Sequence, residues 1–475
     1  MTTATLATAA LGAVRTLPPA LAGLALMLGV GRAVGERLGL RHWGLPEALL
    51  AGVLGLLVAP SGPLPLVPEQ VIDLWEQLPL ILLTLVFATL LLAKPLPRLA
   101  GLWRPVSGQV SLALTLAFGQ YLVGGLAVLL LLQPWLGVHP LMACLIEVAY
   151  EGGHGSAAAM GASYAQLGFA GAEGLGLAMA TVGLLASTVV GGLVVVLARQ
   201  LGWLRHPDAL PLNEAVETVI AAAPPLEAID PAPEVETPIV QTPALWRRAA
   251  DWAVNLALAG LAVAFGVAAL AGLQWCADRV GGVFALVIDA LPVFPLALVG
   301  SLLVRLLLER SGRAVWVSGP IQTLVGTMAA DLLIASATAC LDLTQLAHDW
   351  LPLSVLAGCG LAWNLAVVLL LAPRLLPADW FERGIIEFGQ ATGVAASGLL
   401  LLRMADPGDR SNALQAFSIK QLLLQPVLAG GLVTVIAPLA VTRWGLPLWT
   451  GFCACLVVLW IGLGLLLAGR RGQGG

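Results

Sequence analysis

Two short glycine-rich stretches place polar side chains inside otherwise apolar segments of this 475-residue chain. The first reads EGGHGS over residues 151–156, and the second reads GQATG over residues 389–393. Glycine tolerates a positive φ and leaves backbone N–H and C=O groups accessible, so each stretch can present its backbone to a small ligand. Polar and ionisable groups inside apolar runs are energetically expensive and usually functional. Both stretches are therefore predicted to belong to a binding site.

The residue types of the two stretches suit an anionic ligand. A helix that starts in each stretch, capped by Ser156 in the first, would point the positive end of its dipole at a carboxylate. The predicted substrate-binding residues are His154, Gly155, Ser156, Gln390, Thr392, Gly393 and Arg403. The alternatives are a tight turn at the first stretch, a glycine-kinked helix at the second, and an arginine that reaches the membrane interface.

Acidic side chains and carbonyl groups of the same stretches suit a cation. Glu147 and Glu151 are one helical turn apart, so their carboxylates would be neighbours that share one proton or one cation. Exposed carbonyl oxygens at a helix break can complete a sodium site. The predicted sodium ligands are Glu147, Glu151, Gly152, Gly153 and Ala391. Asp331 is a further isolated acid within an apolar run.

The composition indicates that these stretches lie in a polytopic membrane protein. The chain is 59% hydrophobic and only 11% charged, against about 25% charged residues in a soluble domain. A net charge of −4 gives no basic surface for nucleic acid, which excludes a nucleic-acid-binding protein. The sequence shows no nucleophile–base pair, metal cluster or phosphate loop, so we do not expect an enzyme.

A helix needs about 20 apolar residues to cross a bilayer, which predicts an all-α protein with eleven spans. We place the spans near 17–36, 44–60, 78–94, 108–132, 173–199, 252–274, 284–308, 319–341, 353–373, 421–442 and 447–468. Two further apolar segments, 140–166 and 380–404, are interrupted in the middle by the glycine-rich stretches.

Positive charge predicts that both interrupted segments are re-entrant hairpins. If each returns to the side from which it came, 20 of the 23 Lys and Arg residues, Lys420 included, fall on the cytoplasmic side. If both cross fully, the split becomes 12 against 11, which the positive-inside bias disfavours. Non-helical backbone at membrane depth is tolerated only where protein buries it or water reaches it, so two such hairpins imply a site.

The hairpins occupy corresponding positions in two inverted repeats. The first repeat covers residues 1–205, and the second covers 247–475 with an extra C-terminal span. Residues 206–246 contain eight prolines, seven acids and no Lys or Arg, which predicts a disordered cytoplasmic linker. The C-terminus is also predicted to be cytoplasmic, in a multi-pass protein of the plasma (inner) membrane surrounded by lipid. Inverted repeats with discontinuous helices are typical of secondary transporters.

Three patches resemble the bacterial sodium/glutamate symporters. They are Gly137–Met142 followed by EGGHGSAAA at 151–159, then LPEALLAG at 45–52 after Gly31-Arg32, and TGVAASG at 392–398 with LLLRMADP at 400–407. The resemblance implies sodium-coupled uptake of glutamate or a related carboxylate, a homodimer, and a sliding transport domain that carries both hairpins. Glu151 departs from the small or hydroxylated residue expected before Gly-Gly-His, and its charge disfavours a dianionic substrate.

Two other functions remain open at the level of sequence. In a cation/proton exchanger, Glu147, Glu151 and Asp331 would carry the ions and no organic substrate would bind. In a membrane sensor, the acidic linker would signal without transport. The preferred prediction is a secondary active transporter that couples sodium to carboxylate uptake by elevator-like alternating access.

Overall fold

The computed structural model describes residues 3–38, 47–60, 62–92, 103–204, 245–282, 285, 288, 291–341, 343–376, 379–408, 410–425 and 427–472. The predicted linker, 206–246, lies outside the described residues except for its last two positions, which begin a helix. Its disorder therefore stays a prediction.

The described residues of the first half contain six helices, the fifth of which is the second arm of a hairpin. Helix α1 spans Thr3–Leu38, α2 Glu47–Val58, α3 Glu69–Leu90 and α4 Trp103–Ala127, and α4 continues through a π-helical turn, Val128–Leu132, to Leu136. A 3-10 turn, Pro140–Cys144, and a π turn, Glu147–Glu151, then lead to α5, Gly153–Gln166, and α6, Ala172–Gln200. The segment predicted as a hairpin is thus helical on both sides of a break at residue 152.

The second half begins with three long helices: α7 spans Leu245–Val280, α8 Val293–Arg310 and α9 Gly319–Ala339. The short α10, Leu343–His348, precedes α11, Trp350–Ala366, which continues through a π turn, Val367–Leu371, to Leu375. The second hairpin is formed by α12, Trp380–Thr392, and α13, Ala395–Ala405. The chain ends with α14, Ala413–Leu424, α15, Leu432–Trp444, and α16, Leu446–Gly472.

The prediction of an all-helical, polytopic membrane protein is confirmed. Within the described ranges there are helices and turns but no strands, and eight helices are long and apolar enough to cross a membrane. They are Pro18–Arg37, Glu69–Leu90, Val106–Leu136, Ala172–Gln200, Ala249–Val280, Gly319–Ala339, Trp350–Leu375 and Leu446–Ala468. Of the other predicted spans, 44–60 contains the 12-residue α2, and 284–308 contains most of α8, whose last six residues include three charged ones, Arg305, Glu309 and Arg310.

The predicted continuous span 421–442 is wrong, because two separate helices replace it. Helix α14 ends at Leu424 and α15 begins at Leu432. Between them Ala429 and Gly430 have φ values of 54° and 90°, which a continuing right-handed helix excludes. Apolar composition concealed this break, since a hydropathy window measures length and polarity but not backbone conformation.

The same succession of elements occurs in both halves. The π turn Val128–Leu132 precedes the first hairpin, and the π turn Val367–Leu371 precedes the second one, 239 positions later. The breaks of the two hairpins, at residues 152 and 393, are 241 positions apart. The two halves share this local arrangement of a π turn and an interrupted hairpin, and their division into inverted repeats stays a prediction.

The chain divides into two compact units. The first comprises Met1–Pro79, Arg98–Ile220 and Ile334–Gly475, and therefore contains both hairpins, and the second comprises Leu80–Pro97 and Ala221–Leu333. In the second unit α7 and α8 pack closely on alanine contacts, with Ala262 and Ala297 buried beside Ala88. In the first unit α4 packs against α11, α14 and α16.

The second hairpin is anchored in a hydrophobic core that it shares with α4 and α6. Phe388 of α12 and Leu401 of α13 are buried with Leu112 of α4 and Val195 of α6. Helices α12 and α13 also pack against each other and both contact α6. Apolar packing on two sides therefore fixes where the polar end of this hairpin lies.

Cysteine labelling tests the re-entrant topology. The loops that follow the hairpins offer the exposed positions Ala170 and Pro407. In a background that lacks the exposed Cys276 and Cys455, Ala170→Cys should react with a membrane-impermeant maleimide only from outside. Pro407→Cys should react only from the cytoplasm, because five predicted spans, an odd number, separate the two loops. Labelling of both positions from the same side would exclude two opposed hairpins.

Candidate functional site

The tips of the two hairpins touch each other. Gly153 has a φ of 66°, and a Cβ on it would lie 3.1 Å from Cγ1 of Val394, so the first residue of α5 faces the residue before α13. The Gln390 amide Nε2 donates to the Glu151 carbonyl across the same contact at 3.5 Å. Two helix N-termini are thereby placed side by side, each with N–H groups that have no acceptor in their own helix.

Close backbone approach shapes the second tip. A Cβ on Gly389 would lie 2.5 Å from Cα of Gly398, which allows α12 and α13 to meet just behind the break. Helix α6 covers the tip from another side, since a Cβ on Gly183 would lie 2.3 Å from the Thr392 carbonyl oxygen. Ser187 of the same helix lies directly against Gly393. The tip is therefore enclosed by protein on several sides.

A network of amides holds the end of α12. The Ala391 carbonyl accepts from Gln120 Nε2 at 2.6 Å and from Asn364 Nδ2 at 2.8 Å. Asn364 Nδ2 also donates to Thr392 Oγ1 at 3.0 Å, and its Oδ1 accepts from Gln120 Nε2 at 3.2 Å. Because two amide donors already engage the Ala391 carbonyl, this oxygen is the least available of the predicted sodium ligands.

Two buried carbonyl oxygens at this tip have no hydrogen-bond partner among the described residues. They are Oε1 of Gln120 and Oε1 of Gln390, on side chains that are 0% and 3% exposed. A buried acceptor without a donor costs free energy, so such groups often face a ligand. An amide oxygen suits a sodium ion or the ammonium group of an amino acid.

Glu147 joins the first hairpin to α4 and to the break between α14 and α15. Its carboxylate is fully buried and accepts from Tyr121 Oη at 2.5 Å. It also accepts from Thr434 Oγ1 at 2.9 Å and from the Ala429 N–H at 3.3 Å. These three donors are neutral. The break that sequence analysis missed thus contributes directly to the surroundings of a predicted sodium ligand.

Glu151 differs from Glu147 in its surroundings. Its side chain is 6% exposed and makes no hydrogen bond with another described residue. Lys420, Glu387 and Glu147 are the charged side chains that act on it electrostatically. Although Glu147 and Glu151 are one turn apart as predicted, they share no hydrogen-bond partner.

His154 faces α6. Its Nε2 lies 3.0 Å from Thr181 Oγ1, and the Thr181 hydroxyl donates to the Leu177 carbonyl at 3.0 Å. Because the Thr181 hydroxyl donates its only proton to the Leu177 carbonyl, its oxygen must accept from His154. The proton of the neutral ring is therefore assigned to Nε2, and Nδ1 is left as an acceptor. This histidine positions the start of α5 against α6.

Two details of the predicted substrate site need correction. Ser156 does not cap the returning helix, because α5 already begins at Gly153 and Gly152 occupies the cap position; Ser156 is buried one turn further on, after the half-buried Gly155. Arg403 is exposed in the last turn of α13. It lies nine residues beyond Val394, roughly 13 Å along the helix, so the structure does not bring it to the tips.

A buried ion pair joins α14 to the second hairpin. Lys420 Nζ of α14 lies 2.8 Å from Oε2 of Glu387, and both side chains are 1% exposed. Gln109 of α4 donates to Oε1 of Glu387 at 2.8 Å and accepts from Arg383 Nε at 2.8 Å. The charge count placed Lys420 among the cytoplasmic residues, but the structure buries it in this pair.

The site described so far consists of two touching hairpin tips beside α4 and α6. Residues 10–206 match the sodium/glutamate symporter family. The match confirms the predicted resemblance and is consistent with a member of the symporter family. It covers α4, the first hairpin and α6, whereas the second hairpin lies beyond the matched residues. No curated protein sequence matches the chain significantly.

The symporter family is one of sodium-coupled transporters, so the match indicates a multi-pass transport protein rather than an enzyme. It does not favour the cation/proton exchanger. Asp331, one of the three acids of that alternative, is half-buried in the second compact unit, whereas Glu147 and Glu151 belong to the first.

Several site residues were missed in the sequence. Gln120, Tyr121 and Asn364 are polar residues within the apolar spans that precede the hairpins, and Thr434 and Lys420 flank an unpredicted break. The cost of a polar group at membrane depth could have identified the first three. Lys420 directly precedes the predicted span 421–442, so an interfacial location was the natural interpretation.

Gly153→Ala tests whether contact between the tips matters for transport. A left-handed alanine costs about 1–2 kcal/mol, and its Cβ would also press on Val394. Gly137 is a matched control, because its φ is 64° but a Cβ there meets open space. We expect both variants to lose stability in thermal melts, Gly153→Ala more because of the contact with Val394, and only Gly153→Ala to lose uptake. Equal uptake by both would show that the contact has no role.

Proposed function

We propose that the protein is a symporter that couples an inward sodium gradient to uptake of glutamate or a related carboxylate. The observation that carries this proposal is the contact between the two hairpin tips. It places the N-termini of α5 and α13 side by side in buried surroundings. Half-helix N-termini that face each other are a recurrent device for binding substrate carboxylates in secondary transporters.

The substrate site in this proposal lies at the touching tips. Backbone N–H groups of His154 and Gly155, with Ser156 one turn into the helix, would hold one carboxylate. Gln390, Thr392 and Gly393 would contribute from the second hairpin. The unpaired Oε1 of Gln390 supplies an acceptor, which an amino acid's ammonium group would satisfy.

Sodium would bind beside this site, on the side of the acids. Glu151 offers a carboxylate without a hydrogen-bond partner among the described residues, and Glu147 a second one bound to hydroxyl groups. Carbonyl groups of Gly152 and Gly153 complete the proposed ligand set. A hard cation takes such oxygen ligands, and its charge would offset the repulsion between Glu151 and an anionic substrate.

Alternating access would follow from an elevator-like movement of the hairpins with their flanking helices α4, α6 and α11. The packing of the second hairpin into a core shared with α4 and α6 supports movement as one body. We place the dimer contact on spans outside this group. From the charge distribution we infer an orientation in the plasma membrane with the linker and C-terminus in the cytoplasm.

Uptake into proteoliposomes tests the function. An inward sodium gradient should drive accumulation of radiolabelled glutamate, and an equal choline gradient should not. Unlabelled aspartate, glutamine and citrate as competitors would define which groups of the substrate are recognised. Sodium movement driven by a proton gradient without an organic substrate would instead establish the exchanger.

A further inference from the structure

Glu147 and Glu387 are equivalent carboxylates of the two hairpins. They are 240 positions apart, each on the arm that precedes its break, and both are almost completely buried. Each accepts a hydrogen bond from α4, through Tyr121 and Gln109 respectively. Each also contacts the interrupted helix pair α14–α15. The two repeats thus place a carboxylate in the same kind of pocket twice.

The two pockets differ in the group that faces the carboxylate. Glu147 receives only neutral donors, among them Thr434 and the Ala429 N–H. Glu387 has the ammonium of Lys420 at 2.8 Å. Their partners on α4, Tyr121 and Gln109, are twelve residues apart, or about 18 Å along a helix, so Lys420 does not also bind Glu147.

The Lys420 ammonium is enclosed as a bound cation would be. Besides Glu387 Oε2 it has Gln421 Oε1 at 3.1 Å, and the face of the Phe417 ring at 4.6 Å. An ammonium is a compact point charge with three donors, which two oxygens and an aromatic face satisfy. At 1% exposure the pair is neutral as a unit and lies out of contact with solvent.

We propose that Lys420 is a tethered counter-ion that holds at Glu387 the place that sodium holds at Glu147. The second hairpin then carries a permanent cation, and the coupling ion is needed at the first hairpin alone. This inference rests on the proposed function, since it takes sodium as the ion at the first hairpin. Lys420 is accordingly a positioning residue that sets the number of coupled ions, without contact to the substrate.

Sodium binding to purified protein tests this assignment. Lys420→Ala removes the ammonium and leaves a charged Glu387 beside space for an ion. We expect this variant to bind one more sodium ion per protomer than the unsubstituted protein in equilibrium binding of ²²Na⁺. It should also gain more thermal stability than the unsubstituted protein when choline is replaced by sodium.

The double variant Lys420→Met/Glu387→Gln is the matched control. It has neither charge, so its sodium count and its response to sodium should equal those of the unsubstituted protein. The assignment is overturned if Lys420→Ala binds no additional sodium, or if it fails to fold at saturating sodium while the double variant folds. Absence of sodium binding to the unsubstituted protein would contradict the proposed function instead, and the gain in Lys420→Ala would still be measured.

Discussion

Glu147→Gln is expected to abolish sodium-dependent uptake. The amide keeps the shape of the side chain but removes its charge. In the unsubstituted protein both carboxylate oxygens accept hydrogen bonds from hydroxyl or N–H donors, so the NH₂ group of the amide would face one of these donors. Such a mismatch in a buried site costs about 1–3 kcal/mol of stability. Loss of the charge removes the main attraction for the ion. Uptake measured against sodium concentration should stay at background throughout the range.

Two further variants separate the structural part of this effect from the ionic part. Tyr121→Phe deletes one hydrogen bond to Glu147 and retains the carboxylate, so it should lower the melting temperature and preserve sodium-dependent uptake. Glu151→Gln should weaken the sodium dependence more than the affinity for substrate. If Tyr121→Phe loses uptake as fully as Glu147→Gln, then Glu147 acts through packing rather than through its charge.

The breaks of the two hairpins could be predicted because three signals in the sequence coincided, whereas their re-entrant topology stays a prediction. Apolar runs contained glycine-rich interruptions, the half-length arms were too short to cross, and the basic residues divided 20 to 3 only with both hairpins in place. The breaks at residues 152 and 393 lie within the stretches that were singled out. Glycine content marks a break well when the backbone requires a positive φ, as at Gly153.

The break between α14 and α15 lacked such support. Its Gly430-Gly431 pair was present in the sequence, but the surrounding residues are apolar and no ionisable group marked the site as special. The partner of this break is Glu147, 282 positions earlier in the chain. A contact at that separation leaves no periodicity to detect, so the sequence could identify the acid and not the backbone that binds it.

The amide network around Ala391 was unpredictable for a related reason. Gln120 and Asn364 come from different halves of the chain and meet only because α4 and α11 pack together. Their residue types are compatible with many locations, and only the assembled fold shows that both donate to the same carbonyl oxygen. The sequence identified Thr392 as polar and near a site, but not what orients its hydroxyl group.

Asn364→Leu is expected to disable the second hairpin. The side chains are similar in size, but leucine removes the donors to Ala391 and Thr392 and the acceptor for Gln120. Each buried group left without a partner costs about 1–3 kcal/mol. Because part of this network holds the end of α12, we expect faster amide hydrogen exchange over residues 388–396 and at least a roughly tenfold weaker affinity for substrate, equivalent to about 1.4 kcal/mol.

Ser354→Leu provides the matched control on the same helix. Ser354 is exposed and bonds only the Trp350 carbonyl of its own helix, so the same replacement there should change neither hydrogen exchange nor affinity. Thr392→Ala removes only one acceptor of the Asn364 amide, which keeps its bond to Ala391, and should therefore have a smaller effect. Unchanged exchange at residues 388–396 in Asn364→Leu would mean that apolar packing of α12 and α13 alone orders the tip. The polar network would then act on the ligand directly and not through the backbone.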